Sequence, residues 1–283
     1  MSRTSTSKAR SDLLQEVRIY SPERSVRTDI SEVVDFIRAS FPSLKINVKR
    51  SPLTSIKKAN TEDAAIRLVQ ARVKDPTRRL QSFEPMFGEV EFERRAILGE
   101  ANVGGIVYDG RLLEEIMIEF AGIGSPLTTA SLVLTDRLVS TYSEDDVRHH
   151  LRTVVFGFPS IISLPGIVEA PAKPREYYML KQALEAEGAS ELHFERLKSE
   201  FRDRFIDYDD ARTTEVMKGL TLQAIMYHLT LEPFCRNKSC RFFNAHWQEE
   251  LIEGQVTKGV LCEEHLRRVK SLGKNPRIGW TAR

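Results

Sequence analysis

All three cysteines of this 283-residue chain fall between positions 235 and 262. An odd number crowded into one stretch excludes a secreted disulfide framework, which spreads an even number along the chain. It fits a metal site in a reducing compartment, and so a cytoplasmic protein. The spacing is Cys235-x4-Cys240, then Cys262-x2-His265 after twenty-one intervening residues. Each close pair supplies two ligands from one turn, and the loop brings the pairs together around a tetrahedral ion. Three thiolates with one imidazole suit zinc and leave no open coordination position. The expectation is one structural zinc ion on Cys235, Cys240, Cys262 and His265, contributing to folding rather than to chemistry. Arg236, Lys238 and Arg241 can offset the thiolate charge. His246 is a rival fourth ligand; a C-x2-H pair on a turn entering a helix favours His265.

The chain as a whole has the balance of a soluble globular protein, 41% apolar and 29% charged residues. No apolar run approaches the roughly 20 residues of a membrane helix. Residues 1–12 read as a disordered tail rather than a signal peptide. Strands are expected at Glu16–Tyr20, Leu44–Lys49, Val103–Tyr108, Ser131–Thr135 and Thr153–Phe158. Between them, Asp29 caps a helix carrying Ile30, Val33, Val34 and Ile37 on one face, and Thr61 caps another that Pro76 closes. After Asp109-Gly110 a third helix carries Leu112, Leu113, Ile116 and Phe120. Residues 76–100 show no clear period. From Arg175 only helical patterns follow, at about 175–187, 190–205, 213–230 and 263–271. The fold class expected is α/β (α+β): one domain over 13–283, with an N-terminal mixed sheet and flanking helices over 13–172. A helical region stapled by the structural zinc follows over 173–283.

The cysteine block resembles the archaemetzincins, zinc metallopeptidases with the signature H-E-x-x-H-x-x-G-x3-C-x4-C-x-M followed by C-x2-C. Cys235-x4-Cys240 matches the first pair, and Cys262-x2-His265 matches the second with His for the last Cys. Phe242 stands in place of the Met, and the loop is about two residues longer. Leu134-Thr135-Asp136-Arg137 and Val155-Phe156-Gly157 resemble the family's L-T-D-R and V-F-G strand segments, so the similarity covers roughly 130–271. It implies a metzincin-like fold. The catalytic motif departs from the family. Counting back from Cys235, the first catalytic His falls on Ala224, the Glu on Ile225, and the Gly on Leu231. Phe234 precedes the cysteine, and only the second His matches, at His228. A metallopeptidase needs about three protein ligands and a carboxylate base; Ala and Ile supply neither.

Other histidines are read as structural. His228 on its helix is a satisfied or exposed side chain, or else a remnant ligand. His149 and His150 read as solvated helix surface. Residues 244–250 read as a helix capped by Asn244 and anchored by Trp247, or as a lip of a binding cleft presenting His246 or Glu249. Three functions remain. The first is a zinc-stabilised, archaemetzincin-like protein without standard peptidase chemistry that keeps a cleft for a peptide or protein partner. The second is an active hydrolase rearranged around His228, His246 and nearby carboxylates. The third is a nucleic-acid-binding zinc protein. It rests on the ten Lys or Arg between Lys45 and Arg79, faced by Glu62, Asp63 and Asp75 alone. No interleaved aromatics for base stacking accompany them, so nucleic acid is the disfavoured partner. No membrane partner is expected.

Overall fold

The computed structural model describes residues 13–24, 29–124 and 126–279. The expected tail at 1–12 lies outside these. The first strand, β1 (Glu16–Tyr20), runs parallel to β2 (Lys45–Lys49) through helix α1 (Ile30–Ser40). Asp29 starts α1 by accepting the backbone N–H groups of Ser31 and Glu32, at 2.9 and 3.4 Å. Next come α2 (Thr61–Gln70), α3 (Phe87–Ile97), the short strand β3 (Val107–Asp109) and α4 (Gly110–Ala121), which Asp109 caps. Strand β4 (Thr129–Thr135) returns beside β1. All seven of its residues are buried, as expected of a parallel strand covered on both faces.

Strands β5 (Leu138–Ser143), β6 (Arg148–Arg152), β7 (Val154–Val155) and β8 (Ser160–Ser163) follow. The principal sheet has the order β2-β1-β4-β8-β7, parallel except for β7, which pairs antiparallel on the edge. A second sheet, β3-β5-β6, is also mixed. The two-residue period of β4 separates two cores. Ala130, Leu132 and Leu134 face one side, Val133 the other. The second side is closed by α2, α3 and α4 through Leu68, Ile97, Leu113 and Ile116.

The first side is closed by α1 and α8 (Thr213–Thr230), the longest helix, buried on nearly every face. Helix α5 (Leu164–Glu169) packs on β5, β6 and β8, while α6 (Arg175–Ala186) and α7 (Glu191–Glu200) pack on each other around Tyr177, Leu197 and Phe201. Helix α9 (Gln248–Ile252) runs into a π-helical turn at Glu253–Lys258, and α10 (Glu263–Lys274) follows. This core extends from Leu14 to Ile278, so the sheet and the C-terminal helices share it. The Leu14 N–H donates to the Pro276 carbonyl at 2.9 Å, and Leu13 and Arg277 form an antiparallel bridge.

The mixed α/β class holds, with two sheets in place of one. Several local expectations are corrected. His149 and His150 sit on strand β6, not a helix, because Val139 and Tyr142 of β5 and their neighbours pair with it. Thr153–Phe158 contributes only Val154 and Val155 to a strand, and Val103–Tyr108 only its last residues. Asn244 caps nothing; α9 begins after Trp247. Thr61 is itself the first helical residue of α2, its hydroxyl turned back to the Lys57 carbonyl.

Between the sheets lies a buried ion network. Arg137, at 1% side-chain exposure, donates to Glu93 at 2.9 Å; Arg72 and the Tyr108 hydroxyl meet the same carboxylate at 2.6 Å each. Burial alone would raise the Glu93 carboxyl, but the Arg137 charge, Tyr108 and Arg72 together hold it below the usual range.

Candidate metal centre and the adjoining cleft

Helix α8 stops at Leu231, whose left-handed backbone (φ 60°) turns the chain out of the helix toward Cys235. The Cys235 N–H then donates to the Phe242 carbonyl at 2.7 Å, and the Cys240 N–H to the Asn237 carbonyl at 3.0 Å. This tight loop turns backbone donors on the sulfurs. The Asn237 N–H approaches the Cys235 Sγ at 3.4 Å; those of Cys262 and Phe242 approach the Cys240 Sγ at 3.4 and 3.5 Å. Such donors favour thiolates. Cys262 is the residue before α10, and His265 lies in that helix's first turn.

The structure brings Cys235, Cys240, Cys262 and His265 together, their four ligand atoms all within 4.8 Å of one another. The Cys235 and Cys262 sulfurs are 3.9 Å apart. Zinc with Zn–S bonds of about 2.3 Å sets sulfurs on a tetrahedron about 3.8 Å apart, so the donor set fits the ion. The His265 Nδ1 faces the Cys262 Sγ at 3.1 Å, and its ring meets Phe242 edge-on at 5.0 Å. Burial pushes the Cys240 thiol up to about 12 and pulls the His265 imidazole down. The imidazole is thus already in its ligating form, and a metal must displace the thiol proton. His246 stays outside this group. It is exposed, its N–H donating to Glu250 at 3.1 Å and its carbonyl accepting from Ala172 at 2.9 Å.

Beside the cluster, a cleft of about 560 Å³ opens between α8, the β6–β7 stretch and residues 243–246. The face of α8 that lines it is Leu220, Gln223 and Tyr227, continued by Phe234. Ala224 and Ile225 are turned into the core, fully buried. His228 is 3% exposed, its Nε2 2.9 Å from the Leu127 carbonyl and its ring against Phe158. It is a satisfied core histidine whose imidazole burial holds below its ordinary value. The Gln223 amide is tied to the Arg241 carbonyl at 3.0 Å, an oxygen it shares with the Gln255 amide at 2.7 Å. The Gln255 Oε1 is buried without a partner against α8, where a Cβ at Gly219 would collide with it.

The opposite wall carries two arginines and His150. Arg111 donates to the Phe156 carbonyl at 2.8 Å and to Glu114 at 3.2 Å. His150 pairs with Asp146 at 2.7 Å. Arg152 is half-buried and donates Nε–H to the Thr141 hydroxyl at 2.8 Å; burial pulls its pKa down. Glu169, the carboxylate among the lining residues, is bonded to the Tyr208 hydroxyl. Sequence reasoning missed Gln223, Tyr227 and Arg152. For the first two, the signal was present: Leu220, Gln223 and Tyr227 recur at helical spacing.

Chemically, the cluster can hold a closed zinc ion and the cleft can bind. Among the described residues, no second group of three His, Cys, Asp or Glu converges. No described helix is long and apolar enough to cross a membrane.

A family model described as "Probable metallopeptidase family (DUF6775)" matches residues 13–272. No curated protein matches the chain. Among solved structures, a zinc-dependent peptidase from Methanocorpusculum labreanum (strain Z) is similar at 12% identity and a TM-score of 0.39. The match covers 90% of this chain and 99% of that one.

Proposed function

The chain belongs to the probable metallopeptidase family, and we propose that it is an archaemetzincin-like member that holds one structural zinc and binds peptides without standard peptidase turnover. One observation carries this reading. The cleft-facing stripe of α8 is Leu220, Gln223 and Tyr227, while Ala224, Ile225 and His228 point into the core. A hydrolytic zinc needs ligands and a base in the cleft, and this stripe offers neither. Cys235, Cys240, Cys262 and His265 would hold the structural ion, tying the end of α8 to the start of α10.

Peptide binding is supported by β7, the terminal strand of the principal sheet, whose residues border the cleft. An extended chain can pair with such an edge. The archaemetzincin assignment is supported by the Cys-x4-Cys spacing, with Val155-Phe156-Gly157 at that same edge. Setting nucleic acid aside is supported by the basic 45–79 stretch, where Arg67, Arg72, Lys74 and Arg79 meet Glu119, Glu93, Glu89 and Glu144.

Elemental analysis of the purified chain, alongside a fluorogenic peptide library with added zinc, tests the proposal. One zinc per chain and no turnover are expected. Two zinc ions together with turnover that vanishes in His228→Ala or His246→Ala would replace it with the rearranged hydrolase.

A further inference from the structure

Among the described residues, every buried or half-buried arginine except Arg152 meets a carboxylate. Arg72 and Arg137 have Glu93, Arg212 has Asp210, and Arg241 has Glu215. This is what the cost of removing a charge from water requires. Arg152 departs from the pattern. Its Nε–H goes to Thr141, and among the described residues no carboxylate lies within ion-pair distance of the two Nη groups. Neither group is sealed in the interior, and Arg152 lines the cleft.

The charge of Asp146 reaches Arg152 from beyond ion-pair distance and offsets only part of its burial. Arg111, His150 and His246 line the same cleft. The acidic side chain on this wall, Glu169, holds the Tyr208 hydroxyl, and Asp146 is occupied by His150 and Arg148. The cleft is a concave site lined by the Arg111 and Arg152 guanidiniums, and its walls concentrate their field. It also contains a planar fork of donors with the geometry that matches a carboxylate.

We propose that Arg152 anchors a carboxylate of the peptide occupying this cleft. The inference rests on the peptide-binding reading above. The carboxylate comes either from the peptide's C-terminus or from an Asp or Glu side chain, and the same fork accepts both. Thr141 is the positioning residue: its hydroxyl holds Nε and so aims the fork.

The test uses the zinc-loaded full chain and fluorescein-labelled decapeptide pools in three forms. The first pool has neutral sequences ending in an amide, the second the same sequences ending in a free carboxylate, and the third amidated sequences with one internal Glu. Fluorescence polarisation reads the affinities. At least one carboxylate pool should bind about tenfold more tightly than the neutral amides, equivalent to about 1.4 kcal/mol. A preference for the second pool assigns the terminus, and for the third a side chain. Arg152→Gln should abolish the preference while keeping zinc content and circular dichroism. Arg152→Lys should retain part of it. Equal binding of all three pools, or a preference that survives Arg152→Gln, overturns the anchor and leaves the peptide cleft standing. No binding of any pool overturns both.

Discussion

His228 and His265 both sit in apolar surroundings, but only His265 faces sulfur. For His228, burial depresses the folded-state pKa below an unfolded value of about 6.5. The sign follows: its contribution is complete above that value and is lost as pH falls toward and through the folded pKa, because the unfolded chain binds the proton more readily. Urea unfolding between pH 7.5 and 5 should show stability declining toward acid. Because zinc loss acts in the same direction, the difference between wild type and His228→Gln isolates the histidine; parallel profiles would refute its role. For His265, the expectation is specific to ligation. His265→Cys should retain one zinc per chain by elemental analysis, whereas His265→Ala should lose or sharply weaken it. The cluster was legible from sequence because its ligands form two local pairs, and three-dimensional placement chose His265 over His246. Arg152 was not legible. Its isolation depends on Thr141 across β5 and on Glu169 being claimed by Tyr208, relations that exist only after the strands pair.

Of the elements that declared themselves in sequence, β1 and α1 have an intact apolar period, α1 being bounded by Asp29 and Phe41-Pro42, whereas α8 is a long helical run buried on nearly every face. Those that did not have a polar residue on the inward face. Helix α3 buries Glu93 among Val90, Ala96 and Ile97, so its apolar stripe is interrupted by the carboxylate that Arg137 and Arg72 neutralise. Strand β6 carries Arg148, His149, His150 and Arg152 and reads as surface, yet His149 is buried with its Nδ1 3.2 Å from the Ser140 hydroxyl. A one-residue shift also separates the carry-over from the cleft. The matched positions 224 and 228 are buried, while 223 and 227 line the opening. The contact between α8 and the π-helical turn provides a test at this scale. Gly219→Ala should destabilise the protein by about 1–3 kcal/mol, because its Cβ would collide with Gln255. Adding Gln255→Ala should recover much of that loss in denaturant titrations; additive losses would show that the two sites do not touch.

Across the whole molecule, one core joins Leu14 and Val17 near one end to Val269 and Ile278 near the other. Sheet and helices cannot separate without exposing it. Urea unfolding followed by tryptophan fluorescence and by circular dichroism should therefore give coincident transitions. Chelating the zinc should move both together, by about 2.7 kcal/mol relative to free zinc at a hundred times its Kd. A fluorescence transition preceding the loss of helix would contradict a shared core. The sequence leads us to expect one domain over 13–283, but pattern alone does not reveal that α8 packs on the face of β4 and β8.

The bridge between Leu13 and Arg277, with the Leu14–Pro276 hydrogen bond beside it, makes the described chain nearly a closed ring. Linear order is then a matter of where the ring is cut. A gene joined through a short Gly-Ser linker across these ends and reopened at Gly188-Ala189, between α6 and α7, should encode a circular permutant with the same sheets, the same zinc stoichiometry and the same cleft. Segments continuing from Leu13 and from Arg277 would leave the described body from one shared point.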